Sequence, residues 1–448
     1  MSKMNKPLKI TLLSLFSLLG LLLVAVCIVL WMVLTPARLT PVVSKIADRY
    51  IQCETQFGEV DVTFFSTFPH VSLHVKEVAL VNPMQGAPSD TLAQIQEVVA
   101  AVNVRKFLKE DSLEINRLCL KGGHASLFVR VDSCSNFDIF QSDTTEKDSS
   151  IGFPFAGLSA EKVEISRLSL SYLDETMHLH AKMEDLNAKV KARLSEEDMQ
   201  ADLRMDVRQL FLQMSDSTAM TAEVQGLRLR LEGEKKQNDL TADLHLQLPR
   251  AFFAMDSLCL LDSSEIQLDI PLQYQIDNRQ LTLGKSNIQM DEIALKMEGA
   301  LGADTDFSVF DCTLRYELAE TPVCELIPWV EKFSPNLLDG IQLSGRLAIA
   351  GTMDGCYSEA EMPLIDADLH LKEACIEMEE VLPAPFSRVD LEAAAHIDLN
   401  HEDRSEVEVR RVDAQMRKSS IQIEGKIRDL FDKIACQLQL SGHVQLAD

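Results

Sequence analysis

The sequence is short of positive charge: 43 Lys and Arg stand against 69 Asp and Glu, a net charge of -26. A surface of that sign repels phosphate backbones and anionic headgroups. Nucleic acid is therefore set aside as a partner, and lipid contact is left to apolar surface or a local basic patch. The ten cysteines include no C-x-x-C pair. Cys27 lies in an apolar run, and the other nine are scattered and odd in number. This is neither a zinc site nor a disulfide framework. The cysteines read as small buried apolar residues, with room for one or two bridges in an oxidising compartment. No G-x-S-x-G, H-E-x-x-H, P-loop or G-x-G-x-x-G occurs. No catalytic residue, metal ligand set or cofactor is predicted, and the expectation is a protein that is not an enzyme. His70 with His74, His178 with His180, and Asp366 with Asp368 recur at even spacing. They read as half-exposed strand residues and a solvated edge. Low-complexity tracts, strict repeats and most of the expected Gly/Pro/Ser linkers are missing as well.

One stretch lacks both charge and proline: Ile10–Leu34. Its 25 residues, at about 1.5 Å each, give roughly 37 Å as a helix, enough to cross a hydrocarbon core of about 30 Å. A signal peptide would carry a shorter apolar core of about 7–15 residues and a small-x-small cleavage site. Thr35-Pro36-Ala37-Arg38 is a poor one. An uncleaved anchor is predicted, marked by Ile10, Leu22, Trp31 and Leu34, with Trp31 near the headgroup level. Lys3, Lys6 and Lys9 precede it and only Arg38 follows closely. The positive-inside rule then leaves residues 1–9 in the cytoplasm and the rest outside. That exported part carries 40 basic against 69 acidic residues, a net charge of -29.

After the anchor, Thr40 and Pro41 open a short amphipathic helix over 40–52. The period then changes to two, over VDVTFF, HVSLHVKEVALVNP and Leu92 to Val102. A short helix is expected at Val104–Lys109, followed by two strands around a turn at Gly122-Gly123. A first β region thus spans 57–140, and the polar segment 141–150 reads as a loop. From 151 to 448 the strand signal dominates. Met199 to Val207 alternate strictly, which favours strand, although Ser195 and Asp198 could cap a helix there. The clearest run is Ile266, Leu268, Ile270, Leu272, Tyr274 and Ile276. Pro271 sits inside it without an N–H, so the strand needs an edge or a bulge at that point. Leu244 and Leu246, and Val389 and Leu391, carry the same alternation. The exception is a broken helical insert near 322–339, with Thr321-Pro322 at its start and Gly340 as its stop.

Nearly every strand has one apolar and one polar face, the pattern of an antiparallel sheet with a single greasy side. Two architectures fit. Sandwiches would bury that side as ordinary core, but about 410 residues would have to split into several domains. The alternative is mainly β as well: an N-terminal transmembrane helix, then one elongated, curled antiparallel β-sheet, a β-groove, with a few short helical inserts. About 20–25 strands at about 4.8 Å make a sheet roughly 100–120 Å long. Its open face would far exceed the few hundred Å² of apolar surface a soluble protein exposes. Long acyl chains fit such a trough. Its candidate lining is Leu244, Leu246, Ile266, Leu268, Ile270, Leu272, Tyr274, Ile276, Val389 and Leu391.

The anchor, the following helix and FGEVDVTFFSTFPHVSLHVKEVALVNP, with Phe68-Pro69 and Asn82-Pro83, resemble the N-terminal region of the AsmA family of Gram-negative envelope proteins. Asp132-Ser133-Cys134-Ser135-Asn136-Phe137-Asp138-Ile139 resembles that family's D-G-x-x-N-F-D-I segment, with Ser for Gly. Tyr172 and Asp174 close a strand as they do there, and ELIPWVEKFSPNLLDGIQLSGRLAIAGTMDG resembles a later insert and strand. The motifs are short, and their order carries the likeness. The resemblance implies an inner-membrane-anchored, largely periplasmic β-groove related to chorein-type bridge proteins, moving phospholipid between inner and outer membranes. The alternative is a structural or assembly factor that binds outer-membrane or other envelope proteins through exposed strand edges. The family's members are often longer, and this sequence closes on HVQLAD without a capping helix, which fits a short member or one lacking a C-terminal portion.

Overall fold

The computed structural model describes residues 40–41, 43–45, 47, 51–63, 71–102, 115–139, 162–194, 198–215, 219–306, 308–335, 337–358, 360–378, 384–430, 434–443 and 445. Ile10–Leu34, with Ile10, Leu22, Trp31 and Leu34, lies outside them, as do Phe68-Pro69, the helix expected at Val104–Lys109 and the loop at 141–150. Among the described residues no helix is long and apolar enough to cross a membrane. Thr40, Pro41, Val43, Ser44, Lys45 and Ala47 are helical, as the cap-plus-proline start predicts. Strand dominates the remainder. The chain divides into two compact units, Met1–Asn187 and Ala188–Asp448.

The first unit contains β1 (Thr55–Gln56), β2 (Val60–Thr63), β3 (Val71–Val81), β4 (Thr91–Val102), β5 (Ile115–Val129), β6 (Lys162–Asp174) and the start of β7 (Leu179–Leu194). Both β1 and β2 pair with β3, and β3, β4 and β5 follow in antiparallel order. Gly122 and Gly123 are not a turn. They lie inside β5 with φ of 61° and 135°. A side chain at Gly122 would collide with the Gln96 amide, and one at Gly123 with the Gln94 carbonyl. Glu77, Gln96, Gly122 and Arg167 fall on one line across β3–β6, between matched ladder positions. Three of the four have positive φ. On either side of this crease the apolar set changes phase by one residue. Val75, Val98, Leu120 and Ile165 form one row; Leu80, Ala93, Ala125 and Leu170 form the other. A slip of one residue exchanges the faces of a strand. A shared crease lets four strands make that change together, where a bulge on one strand would break the ladder.

Strands β5 and β6 run parallel, against the antiparallel order expected from the sequence. A parallel pair needs a crossover, and here it leaves β5 through the Asn136 segment. Asn136 is fully buried. Its side chain accepts from the Phe128 N–H at 2.8 Å and donates to the Ser126 carbonyl at 2.9 Å, binding the returning chain to β5. The Gln52 N–H reaches the Ile139 carbonyl at 2.7 Å. Glu164 clips the pair itself, 2.9 Å from Lys162 Nζ and 2.5 Å from Arg117 Nη2. Tyr172 donates to Asp174 at 2.8 Å, and Asp174 also accepts from the Thr176 and Met177 N–H groups, which closes the turn after β6.

The second unit contains β8 (Asp198–Ser215), β9 (Ala219–Lys236), β10 (Asp239–Met255), β11 (Leu258–Gln275), β12 (Gln280–Met290), β13 (Ile293–Ala303) and β14 (Phe310–Pro322). A helix, α1 (Val323–Phe333), precedes β15 (Gln342–Tyr357), β16 (Leu364–Glu377), β17 (Phe386–Ile397), β18 (Glu406–Met416), β19 (Ser419–Arg428) and β20 (Ala435–His443). The strict alternation of 199–207 is strand, in β8. Each strand from β8 to β20 pairs antiparallel with the next. Two-residue turns begin at Gln237, Asp256, Asp291 and Arg417, each with φ between 51° and 53°. A left-handed first residue is what matches a tight hairpin to the right-handed twist of its strands. The bulge that Pro271 demands is present: β12 slips its register opposite it, between Asp269 and Leu272, and Gly284 leaves room for the proline ring. The insert is helical only to Phe333, with Pro328 inside it, and Gly340 ends the turn that follows. The β12–β13 hairpin stops short, level with Ile266 and Leu318. Helix α1 packs against β11, β14 and β15 beyond it, and Lys332 Nζ reaches the Leu260 carbonyl at 2.8 Å.

The Glu164 clip makes a pH prediction. Lys162 first, then Arg117, hold its carboxyl down to about 2, below its ordinary value of 4.5. A depressed acid confers stability above the unfolded value and loses it as pH falls through the folded one. Glu164→Gln is expected to lower the melting temperature by a few degrees at pH 7. The difference from wild type should shrink between pH about 4.5 and about 2, read by thermal melts across pH.

An apolar row on an uncovered sheet face

Cross-strand register in the second unit aligns apolar residues from many strands. Starting on β8, Met205, Leu229, Leu246, Leu268, Ile288 and Leu295 stand directly opposite one another in turn. The row continues through Leu318, Ile349, Leu369, Ala393 and Val409 on β14–β18. It ends at Gly425 on β19 and Leu438 on β20. Thirteen strands contribute, and no polar side chain interrupts it. Twelve steps at about 4.8 Å make a path of roughly 58 Å along the sheet. A second row runs beside it over β8–β17, from Ala201, Gly233, Ala242 and Leu272 to Leu314, Met353, Ile365 and Ile397.

The face carrying these rows is only half-buried. Met205, Leu229, Leu246, Leu268, Ile288, Leu295 and Leu318 are all partly exposed. In a sandwich, Leu residues at the centre of long strands would be sealed by a second sheet. Among the described residues of this unit, α1 is the only α-helix, and it packs at β11, β14 and β15. Parts of the unit are closed: Ala374, Val389 and Ala414 form a patch buried against Leu371, Ile376 and Phe386, and Val207, Val224 and Ala251 are buried on β8–β10. The environment is dry enough that burial pushes the Cys312 thiol and the Tyr316 hydroxyl up.

The reverse face is charged at the positions between. Arg230, His245, Asp269, Asn287, Lys296 and Glu317 are successive cross-strand neighbours. His245 Nδ1 lies 2.6 Å from Asp269, and Lys296 lies 3.6 Å from Glu317. Such exposed pairs contribute little energy, about 0–1 kcal/mol each. Their effect is to keep this face in water. The paired residues noted in the sequence also belong to such surface contacts. Asp366 meets His396 at 2.7 Å, Asp368 meets Arg410 at 2.8 Å, and His74 meets Glu97 at 2.9 Å. His178 sits in a turn with φ of 49°, and His70 lies outside the described residues.

Of the lining residues expected from the sequence, Leu246 and Leu268 stand in the long row, and Leu244 pairs with Ile270. Leu272 stands in the second row, and Ile266 and Tyr274 pair with Leu248 and Leu240 on the same face. Ile276 falls just past the end of β11, where it is 40 % exposed. Leu391 is half-buried opposite Leu371. Val389 is only 5 % exposed and belongs to the closed patch. The register also brings in Ile288, Ile349, Leu369 and Val409. Alternation was visible at each, but which residue faces which depends on turn length and bulges.

A family model described as the AsmA family matches residues 4–309. No curated protein and no solved structure matches the chain. The long apolar row passes from the matched residues into β14–β20 without a break.

The difference between open face and closed patch is testable by stability. Leu268→Ser, on the half-exposed row, is expected to cost no more than about 1 kcal/mol. Ala374→Leu, at a fully buried position, should cost about 1–3 kcal/mol by overpacking. Urea denaturation of the two variants checks the contrast.

Proposed function

The chain belongs to the AsmA family, and from that premise we propose that its uncovered apolar face carries phospholipid acyl chains between the inner and outer membranes. The observation that supports this most is the unbroken row from Met205 to Leu438, open to solvent at every side chain except the buried Ala393 and Val409. A face of this size is costly in water at about 25 cal/mol per Å². Acyl chains cover it at about 0.8 kcal/mol gained per buried CH₂. Each strand offers the next an equivalent apolar neighbour, so a chain sliding along the row meets no large barrier. The headgroup stays in water beyond the strand ends. An acyl chain spans about half of a hydrocarbon core of roughly 30 Å, so the path accommodates several in series.

In this reading Ile10–Leu34 is the inner-membrane anchor, with the N-terminus in the cytoplasm and the bulk of the chain in the periplasm. Lipid passes without chemical change, and no cofactor takes part. The net charge of -26 fits a role in which headgroups are not gripped by basic patches.

The test places a photo-activatable side chain at Leu268, at Ile349 and at Gln267, whose side chain points to the reverse face. Phospholipid adducts are expected at Leu268 and Ile349 and not at Gln267. Equal labelling of all three, or none, overturns the reading. The pair Leu268→Asp and Leu272→Asp should fold and lose lipid transfer; if it unfolds, the face is core.

A further inference from the structure

Among the described residues, β20 lies at an exposed edge of its sheet. Beyond β19, every residue of β20 is exposed, with Leu438 at 40 % and Leu440 at 65 %. Its nine pairs with β19 run without a register shift. The strand, ACQLQLSGH, contains no Asp, Glu, Lys, Arg or Pro. Natural edges are blunted by charge, proline, bulges or cover, because bare N–H and C=O groups template further pairing. The first unit shows such cover, where β1 and β2 shield β3. At β20 none of these devices is present among the described residues. The long apolar row also stops here, at Leu438.

We propose that β20 pairs antiparallel with β20 of a second copy of this chain. Two points favour a copy. First, the strand is self-complementary about Gln439. That register sets Leu438 against Leu440 of the partner subunit and Cys436 against Gly442 of the partner subunit. Residues directly opposite in an antiparallel pair share a face. The apolar row is therefore continued by the partner subunit, and Gln439 stays on the polar face. Second, a chain of net charge -26 repels its copies over most of its surface. An uncharged strand lets two of them approach closely. An interface of one strand pair falls short of the roughly 1,200–2,000 Å² of a stable complex, so the association is weak and concentration-dependent. It stands independently of lipid carriage.

The experiment uses the full chain in detergent, in a Cys436→Ser background. Gln439→Cys and Ser441→Cys are introduced separately and oxidised, and dimers are read by non-reducing electrophoresis. At the two-fold, residue 439 meets its own counterpart. Residue 441 lies about 14 Å along the strand from its counterpart, beyond the roughly 7 Å that a disulfide tolerates. Gln439→Cys is expected to form dimer at least about fivefold above Ser441→Cys and above the background chain. Adding Leu440→Lys should return it to background, as a charged edge does. Equal yields at 439 and 441, or no dimer above background, overturn the proposal. If the Leu440→Lys chain does not fold, the contrast between 439 and 441 still decides.

Discussion

The structure depends on cross-strand register. A β-strand offers its apolar residues to one face only while its pairing stays in phase, and a slip of one residue exchanges the faces. In the second unit that phase is held by two-residue turns with a left-handed first residue at Gln237, Asp256, Asp291 and Arg417. Side chains add to it. Asp256 accepts from the Ala219 N–H at 2.9 Å and Asp291 from the Glu265 N–H at 2.8 Å, each locking a turn to the neighbouring strand. Where the phase does change, neighbouring strands change together. Arg208, Gly226 and Pro249 mark one such line in the second unit, and Glu77, Gln96, Gly122 and Arg167 mark one in the first.

Strands were legible in the sequence because alternation is a local property. The run Ile266–Ile276 became β11, and the bulge required by Pro271 was found on its neighbour β12. The insert after Thr321 was legible as a helix, but its start was not: Pro322 holds the N-cap position with no side-chain bond, and Thr321, within β14, donates its hydroxyl to the Ala319 carbonyl at 2.8 Å instead of capping α1. Three other things were not legible. Gly122-Gly123 looks like a turn because paired glycines usually punctuate; here they permit a crease inside one strand. The parallel pairing of β5 and β6 leaves no periodic trace, since it depends on where the crossover after Val129 returns. The long row was invisible as a row, because residues such as Leu318 and Ile349 are aligned by turns and bulges elsewhere. Val389 shows the same limit: its alternation matches that of Leu268, yet it is buried under Phe386 and its neighbours.

Among the described residues, no second sheet covers the apolar face of the second unit. An apolar row flanked by a charged reverse face is ordinary in a sandwich, where a second sheet completes it. Here the leucines remain half-exposed and α1 fills the gap beyond one short hairpin. A long chain molecule is the complement such a surface calls for. The same absence of cover recurs at β20, whose bare edge ends the row. Face and edge are two consequences of a sheet built by adding strands in sequence.

Occupation of the apolar face by lipid is open to direct measurement. Native mass spectrometry of the full chain, released gently from detergent, measures this most directly. The account predicts a ladder of masses corresponding to several phospholipids bound to one chain, with the ladder shortened by Leu268→Asp and Leu272→Asp. A folded chain that carries no phospholipid, or the same ladder in the variant, would contradict it.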